Sequence, residues 1–108
     1  MDNLPFQRID CTAALQLIEA GAAVADIRDP DSYARGHIRQ AQLLNNHNLQ
    51  QFIETSDLDL PLVVCCYHGN SSQSAAAFLA ERGFEAVYSL DGGFEAWRLQ
   101  YPEHCAQE

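Results

Sequence analysis

Short apolar runs alternate with amphipathic segments along the chain. The apolar runs predict β-strands at residues 22–27, 61–66 and 86–90, and two shorter segments, 6–9 and 41–44, are also predicted to be strands. Between them, apolar residues recur with a helical period, which predicts α-helices over 10–20, 48–54, 72–82 and 92–100, and a turn with a short helix at Pro30. Gly21 and Gly83 stand where two of these helices should end.

The alternation of strands and helices favours one fold class. Strands that are apolar on both faces are typical of parallel sheets covered by helices on both sides. We therefore predict one α/β domain over residues 1–108, with a central parallel β-sheet flanked by α-helices on both faces. Ligands of such sheets bind beyond the carboxyl ends of the strands. The most apolar strand, 61–66, ends in Cys65 and Cys66.

Composition and charge narrow the class of protein further. The chain has 108 residues, of which 47% are hydrophobic, and no apolar run reaches the ~18 residues needed to span a membrane. The N-terminus lacks the basic and apolar regions of a secretory signal, so we expect a cytoplasmic protein. A net charge of −9 disfavours nucleic acid as a partner, and any anionic substrate must be attracted locally.

Four cysteines carry the candidate chemistry, and we expect them to be free thiols in a reducing compartment: Cys11, Cys65, Cys66 and Cys105. The cysteines and histidines lack metal-ligand spacing, so no metal site is expected. Successive strand residues point to opposite faces. Cys65 is therefore predicted to pack in the core, and Cys66 to stand at the mouth of the following loop.

The loop after Cys66 has the residue types of an anion site. Gly69 permits unusual backbone angles and Asn70 tolerates left-handed ones, so the loop amides can turn inward and form a nest. The helix that begins near Ser71 or Ser72 adds its free amides and dipole, and the two serines add hydroxyl donors. We predict that the pKa of Cys66 falls and that an anionic substrate docks there.

Three segments together resemble the rhodanese family: CYHGNSS at 66–72, DIRDPDSYARGHI at 26–38 and DGGFEAW at 91–97. The resemblance is strongest to the branch of small single-domain bacterial thiosulfate sulfurtransferases. It implies a rhodanese fold and transfer of sulfane sulfur from thiosulfate to cyanide or a dithiol acceptor such as thioredoxin, without a cofactor. By position, Cys66 is the nucleophile and persulfide carrier. The substrate-binding amide cradle is then formed by Tyr67, His68, Gly69, Asn70 and Ser71.

One departure and two alternatives accompany the resemblance. Many single-domain rhodaneses have arginine where this chain has Ser71, so weak thiosulfate binding is expected. A phosphatase or arsenate reductase needs a Cys-x5-Arg loop, but the sixth residue after Cys66 is Ser72 and the next arginine is Arg82. A non-catalytic rhodanese-like module that binds a partner stays open, although such modules usually lack the cysteine.

Other residues are predicted to have structural roles. Arg28 is expected to pair with a nearby carboxylate, and His37 to be a partly buried imidazole that hydrogen-bonds the neighbouring loop. Gly92 and Gly93 are expected to allow close packing near the loop. Five apolar side chains are predicted to face the core: Ala75, Ala76, Phe78, Leu79 and Trp97.

Overall fold

Seven strands form within residues 4–107, the part of the chain that the computed structural model describes: β1 (Gln7–Ile9), β2 (Ala23–Asp26), β3 (His37–Ile38), β4 (Gln42–Leu43), β5 (Leu62–Cys65), β6 (Val87–Leu90) and β7 (Cys105–Ala106). Five of them pair in parallel in the order β1-β6-β5-β2-β4. β5 therefore lies at the centre of the parallel sheet that the apolar runs predict.

Five α-helices occur within the same residues: α1 (Cys11–Glu19), α2 (Pro30–Arg35), α3 (Leu49–Thr55), α4 (Ser71–Glu81) and α5 (Gly93–Gln100). A 3₁₀ helix, Pro102–His104, precedes β7. The Asp10 carboxylate accepts a hydrogen bond from the Ala13 amide at 2.9 Å and so caps α1. Asp29 caps α2 through the Ser32 amide in the same way.

The core lies on both faces of the sheet, and β5 contributes to each face in turn. Leu62 and Val64 pack in one apolar cluster with side chains of α3 and α4. Val63 and Cys65 pack in a second cluster with side chains of α1 and α5, which includes the fully buried Trp97. Because successive strand residues point in opposite directions, a strand covered on both faces is apolar throughout.

The predicted inward position of Phe78 is wrong. Its side chain is 40% exposed and lies on the rim of a groove beside Leu44 and Leu49. The fully buried stripe of α4 runs instead through Ser72, Ala76 and Leu79. The helical period identifies the apolar side of α4 but not the centre of that side, and Phe78 stands at its edge.

Some strands also differ from the prediction. β3 and β7 pair antiparallel in a second, two-stranded sheet that the apolar pattern does not predict. Strands of two residues are too short to show an alternation. The predicted strand at 41–44 shortens to β4, and the strand predicted over 61–66 ends at Cys65. Among residues 4–107, no helix is both long enough and apolar enough to cross a membrane.

Candidate active site

Cys66 is the first residue after β5, at the centre of the carboxyl edge of the sheet. β2 lies on one side of β5, with Asp26 level with Cys65, and β6 lies on the other, with Ser89 level with Val64. After Cys66 the chain forms a short loop and enters α4. The Cys66 side chain is 3% exposed, so the sulfur lies at the base of the loop.

Three polar groups converge on the sulfur of Cys66. The Gly69 amide donates to Sγ at 3.1 Å, and the Ser72 amide donates to it at 3.3 Å. The Ser72 hydroxyl lies 3.2 Å from the same atom. Because α4 begins at Ser71, the positive end of its dipole is also close to this position. The arrangement stabilises negative charge on sulfur.

The loop keeps its shape because its carbonyls are bound to the start of α5. The Cys66 carbonyl accepts a hydrogen bond from the Phe94 amide at 2.8 Å, and the Tyr67 carbonyl accepts one from the Glu95 amide at 3.2 Å. These bonds satisfy two free amides of the first turn of α5. With its carbonyls directed to α5, the loop can direct later amides to the sulfur.

Two glycines allow the loop to approach α5 this closely. Gly69 has a φ of 93°, and a Cβ built there would lie 2.8 Å from the amide nitrogen of Gly92. Gly93 has a φ of 59°, and a Cβ there would lie 2.5 Å from the carbonyl oxygens of Cys66 and Tyr67. The predicted close packing of Gly93 against the loop is therefore confirmed.

The pKa of Cys66 is lowered, as predicted, although two kinds of effect oppose each other. Burial acts to raise the pKa, because it disfavours the charged thiolate. Hydrogen bonds from the Ser72 hydroxyl and amide, and from the Gly69 and His68 amides, outweigh burial and lower it. The thiol therefore ionises more readily than an ordinary cysteine.

Ser72 and Ser89 form a buried pair behind the sulfur. Of the two serines predicted as hydroxyl donors, Ser72 reaches the sulfur, whereas Ser71 is exposed. The Ser72 hydroxyl lies 2.8 Å from the Ser89 hydroxyl, and both side chains are fully buried. Sequence reasoning missed Ser89. The only local signal was a serine within the otherwise apolar strand at 86–90.

The side chains of the other loop residues predicted to bind substrate lie around the sulfur and not against it. Tyr67 is 43% exposed, and its hydroxyl is hydrogen-bonded to the Asp29 carboxylate at the start of α2. His68 and Asn70 are exposed. Asn70 does not adopt the left-handed angles considered for it: with φ −92° and ψ −57°, it leads directly into the right-handed turn of α4.

Arg28 links the end of β2 to α5. Its guanidinium donates to both oxygens of the Asp26 carboxylate, with an Nη2–Oδ2 distance of 2.8 Å, and both residues are buried. The same group stacks over the Phe94 ring, 4.3 Å from its centroid. The predicted ion pair is confirmed. His37 has a hydrogen-bond partner as predicted, but it is more deeply buried than expected, and its Nδ1 donates at 2.8 Å to a backbone carbonyl of α2 and not to a loop.

Fold and site together define a class: an α/β protein with an activated cysteine in an anion-stabilising loop at the end of its central strand. The model of the rhodanese-like domain family matches residues 10–100. The chain therefore belongs to the rhodanese family, as the three segments in its sequence indicate.

Relatives of high identity have a more specific name. The chain is 60% identical over 102 residues to the thiosulfate sulfurtransferase GlpE of Pseudomonas fluorescens, with 94% of each chain covered. It is 62% identical over 97 residues to GlpE of Pseudomonas paraeruginosa, covering 90% of this chain and 88% of that one. These matches confirm the resemblance to small thiosulfate sulfurtransferases.

A solved structure supports the fold independently. The solution NMR structure of a rhodanese-like domain from Anabaena matches with a TM-score of 0.80 at 23% identity. The match covers 94% of this chain and 79% of that one. At this identity the likeness shows the fold alone.

Proposed function

We propose that this chain is a thiosulfate sulfurtransferase that carries sulfur as a persulfide on Cys66. The observation that carries the proposal is the convergence of two amides and one hydroxyl, from Gly69 and Ser72, on the Cys66 sulfur. Relatives that are 60% and 62% identical are named thiosulfate sulfurtransferases, which supports thiosulfate as the sulfur donor.

In the first half-reaction, the Cys66 thiolate attacks the outer sulfur of thiosulfate. The bond between the two sulfur atoms of thiosulfate breaks, and sulfite leaves with the bonding electron pair. The cysteine becomes a persulfide whose outer sulfur carries one negative charge. The lowered pKa of Cys66 supplies the thiolate. Because the chain has a net charge of −9, the attraction for the anion comes from the local donors.

In the second half-reaction, cyanide or a thiolate attacks the outer sulfur of the persulfide. Cyanide leaves as thiocyanate, and a dithiol acceptor such as thioredoxin takes the sulfur as a persulfide of its own. Cys66 is released as a thiolate, which the same donors stabilise. Donor and acceptor use one cysteine in turn, so the kinetics are ping-pong.

The remaining loop residues are assigned to the substrate as part of the proposal. Tyr67, His68, Asn70 and Ser71 are exposed around the buried sulfur, which supports contact with the sulfite portion of thiosulfate or with the acceptor. Ser71 provides a hydroxyl where many single-domain rhodaneses have a guanidinium. We therefore expect thiosulfate to bind weakly.

We also propose that residues 1–108 act as a single domain in the cytoplasm, without a cofactor. The family match over residues 10–100 supports the single domain. Cys11, Cys65, Cys66 and Cys105 are all free thiols, which is the state expected in a reducing compartment.

Initial rates of thiocyanate formation from thiosulfate and cyanide test the proposed activity. We expect turnover in the wild type with parallel double-reciprocal lines, similar turnover in Cys65→Ala, and none above background in Cys66→Ala. If the wild type forms no thiocyanate, the sulfurtransferase proposal fails and the partner-binding module becomes the better hypothesis. Activity that survives in Cys66→Ala would reject the assignment of the nucleophile.

A further inference from the structure

A chain of two buried hydroxyl groups leads from the Cys66 sulfur to β6. The Ser72 hydroxyl lies 3.2 Å from Sγ and 2.8 Å from the Ser89 hydroxyl. Both serines are fully buried, so no bulk water competes for their hydrogens. Within residues 4–107, the Ser72 hydroxyl is the hydrogen-bond partner of the Ser89 hydroxyl. The orientation of one hydroxyl therefore determines the orientation of the other.

The hydrogens of this chain favour a Cys66 sulfur that accepts a hydrogen bond, as a thiolate does, over a thiol that donates to Ser72. When Cys66 is a thiolate, Ser89 donates to the Ser72 oxygen, Ser72 donates to the sulfur, and every hydroxyl hydrogen has an acceptor. When Cys66 is a thiol that donates to Ser72, the Ser72 hydrogen must turn to Ser89. The hydrogen of Ser89 then has no acceptor among residues 4–107, and an unmade bond of a buried group is unfavourable.

We propose that Ser89 is a positioning residue of the sulfur site, which holds the Ser72 hydroxyl hydrogen on the Cys66 sulfur and thereby selects the anionic state. Ser89 acts through Ser72. This inference rests on the proposed function, in which the thiolate is the nucleophile. It predicts that removal of the Ser89 hydroxyl slows sulfur uptake at low pH. The difference in rate from wild type should disappear as the pH rises above the pKa of Cys66.

Charged groups on the neighbouring elements stay the same when Ser89 is substituted. On the elements around the site these are His68 in the loop, the Asp26–Arg28 pair at the end of β2, Asp91 after β6 and Glu95 on α5. Burial and hydrogen bonds act on the pKa of Cys66. Burial has the largest effect, and the hydrogen bond with the Ser72 hydroxyl has the next largest. A substitution at Ser89 leaves all of these charges in place.

The experiment measures the rate of Cys66 alkylation by iodoacetamide against pH, read by peptide mass spectrometry. Alkylation needs the thiolate but no sulfur transfer, so it is independent of the proposed activity. The variants are Ser89→Ala and the pair Ser89→Val and Ser89→Thr, which have equal bulk but differ in the hydroxyl. Ser56→Ala is the control, because Ser56 is a half-buried serine whose hydroxyl bonds a carbonyl in α3 and not the sulfur.

We expect the alkylation midpoint to rise by roughly half a pH unit to one unit in Ser89→Ala and Ser89→Val, and to stay near wild type in Ser89→Thr and Ser56→Ala. Below both midpoints, alkylation should slow by roughly three- to tenfold. A wild-type midpoint in Ser89→Ala overturns the proposal, as does an equal shift in Ser89→Val and Ser89→Thr. A failure of the proposed function appears separately, as absent thiocyanate formation by the wild type.

Discussion

Cys65 and Cys66 are neighbours in sequence, and both are buried, yet their chemistry differs. They are 0% and 3% exposed, so exposure does not separate them. Burial, followed by the charge of Asp26, raises the pKa of Cys65 well above its ordinary value. The pKa of Cys66 is lowered although burial acts against it. Deep burial raises the pKa of Cys65, whereas hydrogen-bond donors at the edge of the sheet lower that of Cys66, so surface exposure alone does not identify the reactive thiol.

The polar groups around the two sulfurs add to the difference. The Cys65 thiol lies 3.4 Å from the Cys66 carbonyl, an acceptor that favours the protonated form. The Cys66 sulfur faces two amides and a hydroxyl, which are donors that favour the thiolate. A strand of alternating side chains turns the first sulfur into the core, and the loop that follows encloses the second. The four predictions below would sharpen or break this contrast.

The largest effect is expected from Gly93→Ala. The new Cβ would lie 2.5 Å from the carbonyl oxygens of Cys66 and Tyr67, so the loop must move by about 1 Å to reach ordinary contact distance. We expect thiocyanate turnover to fall by about a hundredfold and the free energy of unfolding by about 2–3 kcal/mol.

Gly21→Ala is the matched control for Gly93→Ala. Gly21 also has a positive φ, of 110°, but a Cβ there meets no atom within 4 Å. Gly21→Ala therefore tests backbone strain without a clash. We expect the free energy of unfolding to fall by about 1–2 kcal/mol while turnover stays unchanged. Equal turnover losses in the two variants would show that the clash with the loop is not the cause.

The next effect is expected from Ser72→Ala, which removes the hydroxyl donor from Cys66 and leaves Cys65 untouched. Hydrogen bonds to a charged group contribute about 1.5–3 kcal/mol, so the thiolate fraction below the pKa should fall by at least about tenfold. Single-turnover sulfur uptake from thiosulfate at several pH values measures this. A loss of the same size at every pH would contradict a role in ionisation. Ser71→Ala, on the exposed neighbour, should have little effect on the pH dependence.

A third prediction concerns selective alkylation of the wild type. Burial, followed by the charge of Glu103, raises the pKa of the partly exposed Cys105, whereas hydrogen bonds lower the pKa of Cys66. Thiolate reactivity appears as the pH rises through each pKa. An ordinary thiol has a pKa of about 8.5, so Cys66 should titrate below that value and Cys105 above it. Peptide mapping after brief iodoacetamide treatment at pH 7 should show a several-fold excess at Cys66. Preferential labelling of Cys105 would contradict the pKa assignments.

The smallest effect on turnover is expected from Cys65→Ala. The side chain is fully buried in the cluster with α1 and α5, so its removal should lower the free energy of unfolding by about 1–2 kcal/mol. Urea unfolding measures the loss of stability. Thiocyanate turnover should stay within about twofold of wild type, because the donors around Cys66 are unchanged. A large turnover loss in a folded Cys65→Ala would mean that the two thiols act together.

The sequence predicts the sheet and the position of the reactive loop because both depend on local patterns. Apolar runs of four to six residues, such as 61–66, indicate strands covered on both faces. The alternation of side chains along a strand also separates the role of Cys65 from that of Cys66. The loop chemistry follows from Gly69 and the helix start, because a glycine turn and a helix N-terminus both provide free amides.

The features that sequence reasoning missed depend on contacts between distant residues. Ser72 and Ser89 are hydrogen-bonded although they are 17 positions apart, and no sequence pattern near Ser89 indicates this partner. β3 and β7 are two residues each, and their paired residues are 67 and 69 positions apart in the sequence. The position predicted for Phe78 is wrong because the helical period does not show where the neighbouring elements end. Only the tertiary structure determines these contacts.

The measurement that tests the central claim most directly is intact-protein mass spectrometry after incubation with thiosulfate and then with cyanide. Wild type, Cys65→Ala and Cys66→Ser are compared. We expect wild type and Cys65→Ala to gain the mass of one sulfur atom and to lose it to cyanide as thiocyanate, while Cys66→Ser gains none. Two results would contradict the assignment of Cys66 as the only sulfur carrier: a sulfur adduct on Cys66→Ser, or no adduct after thiosulfate on a folded Cys65→Ala.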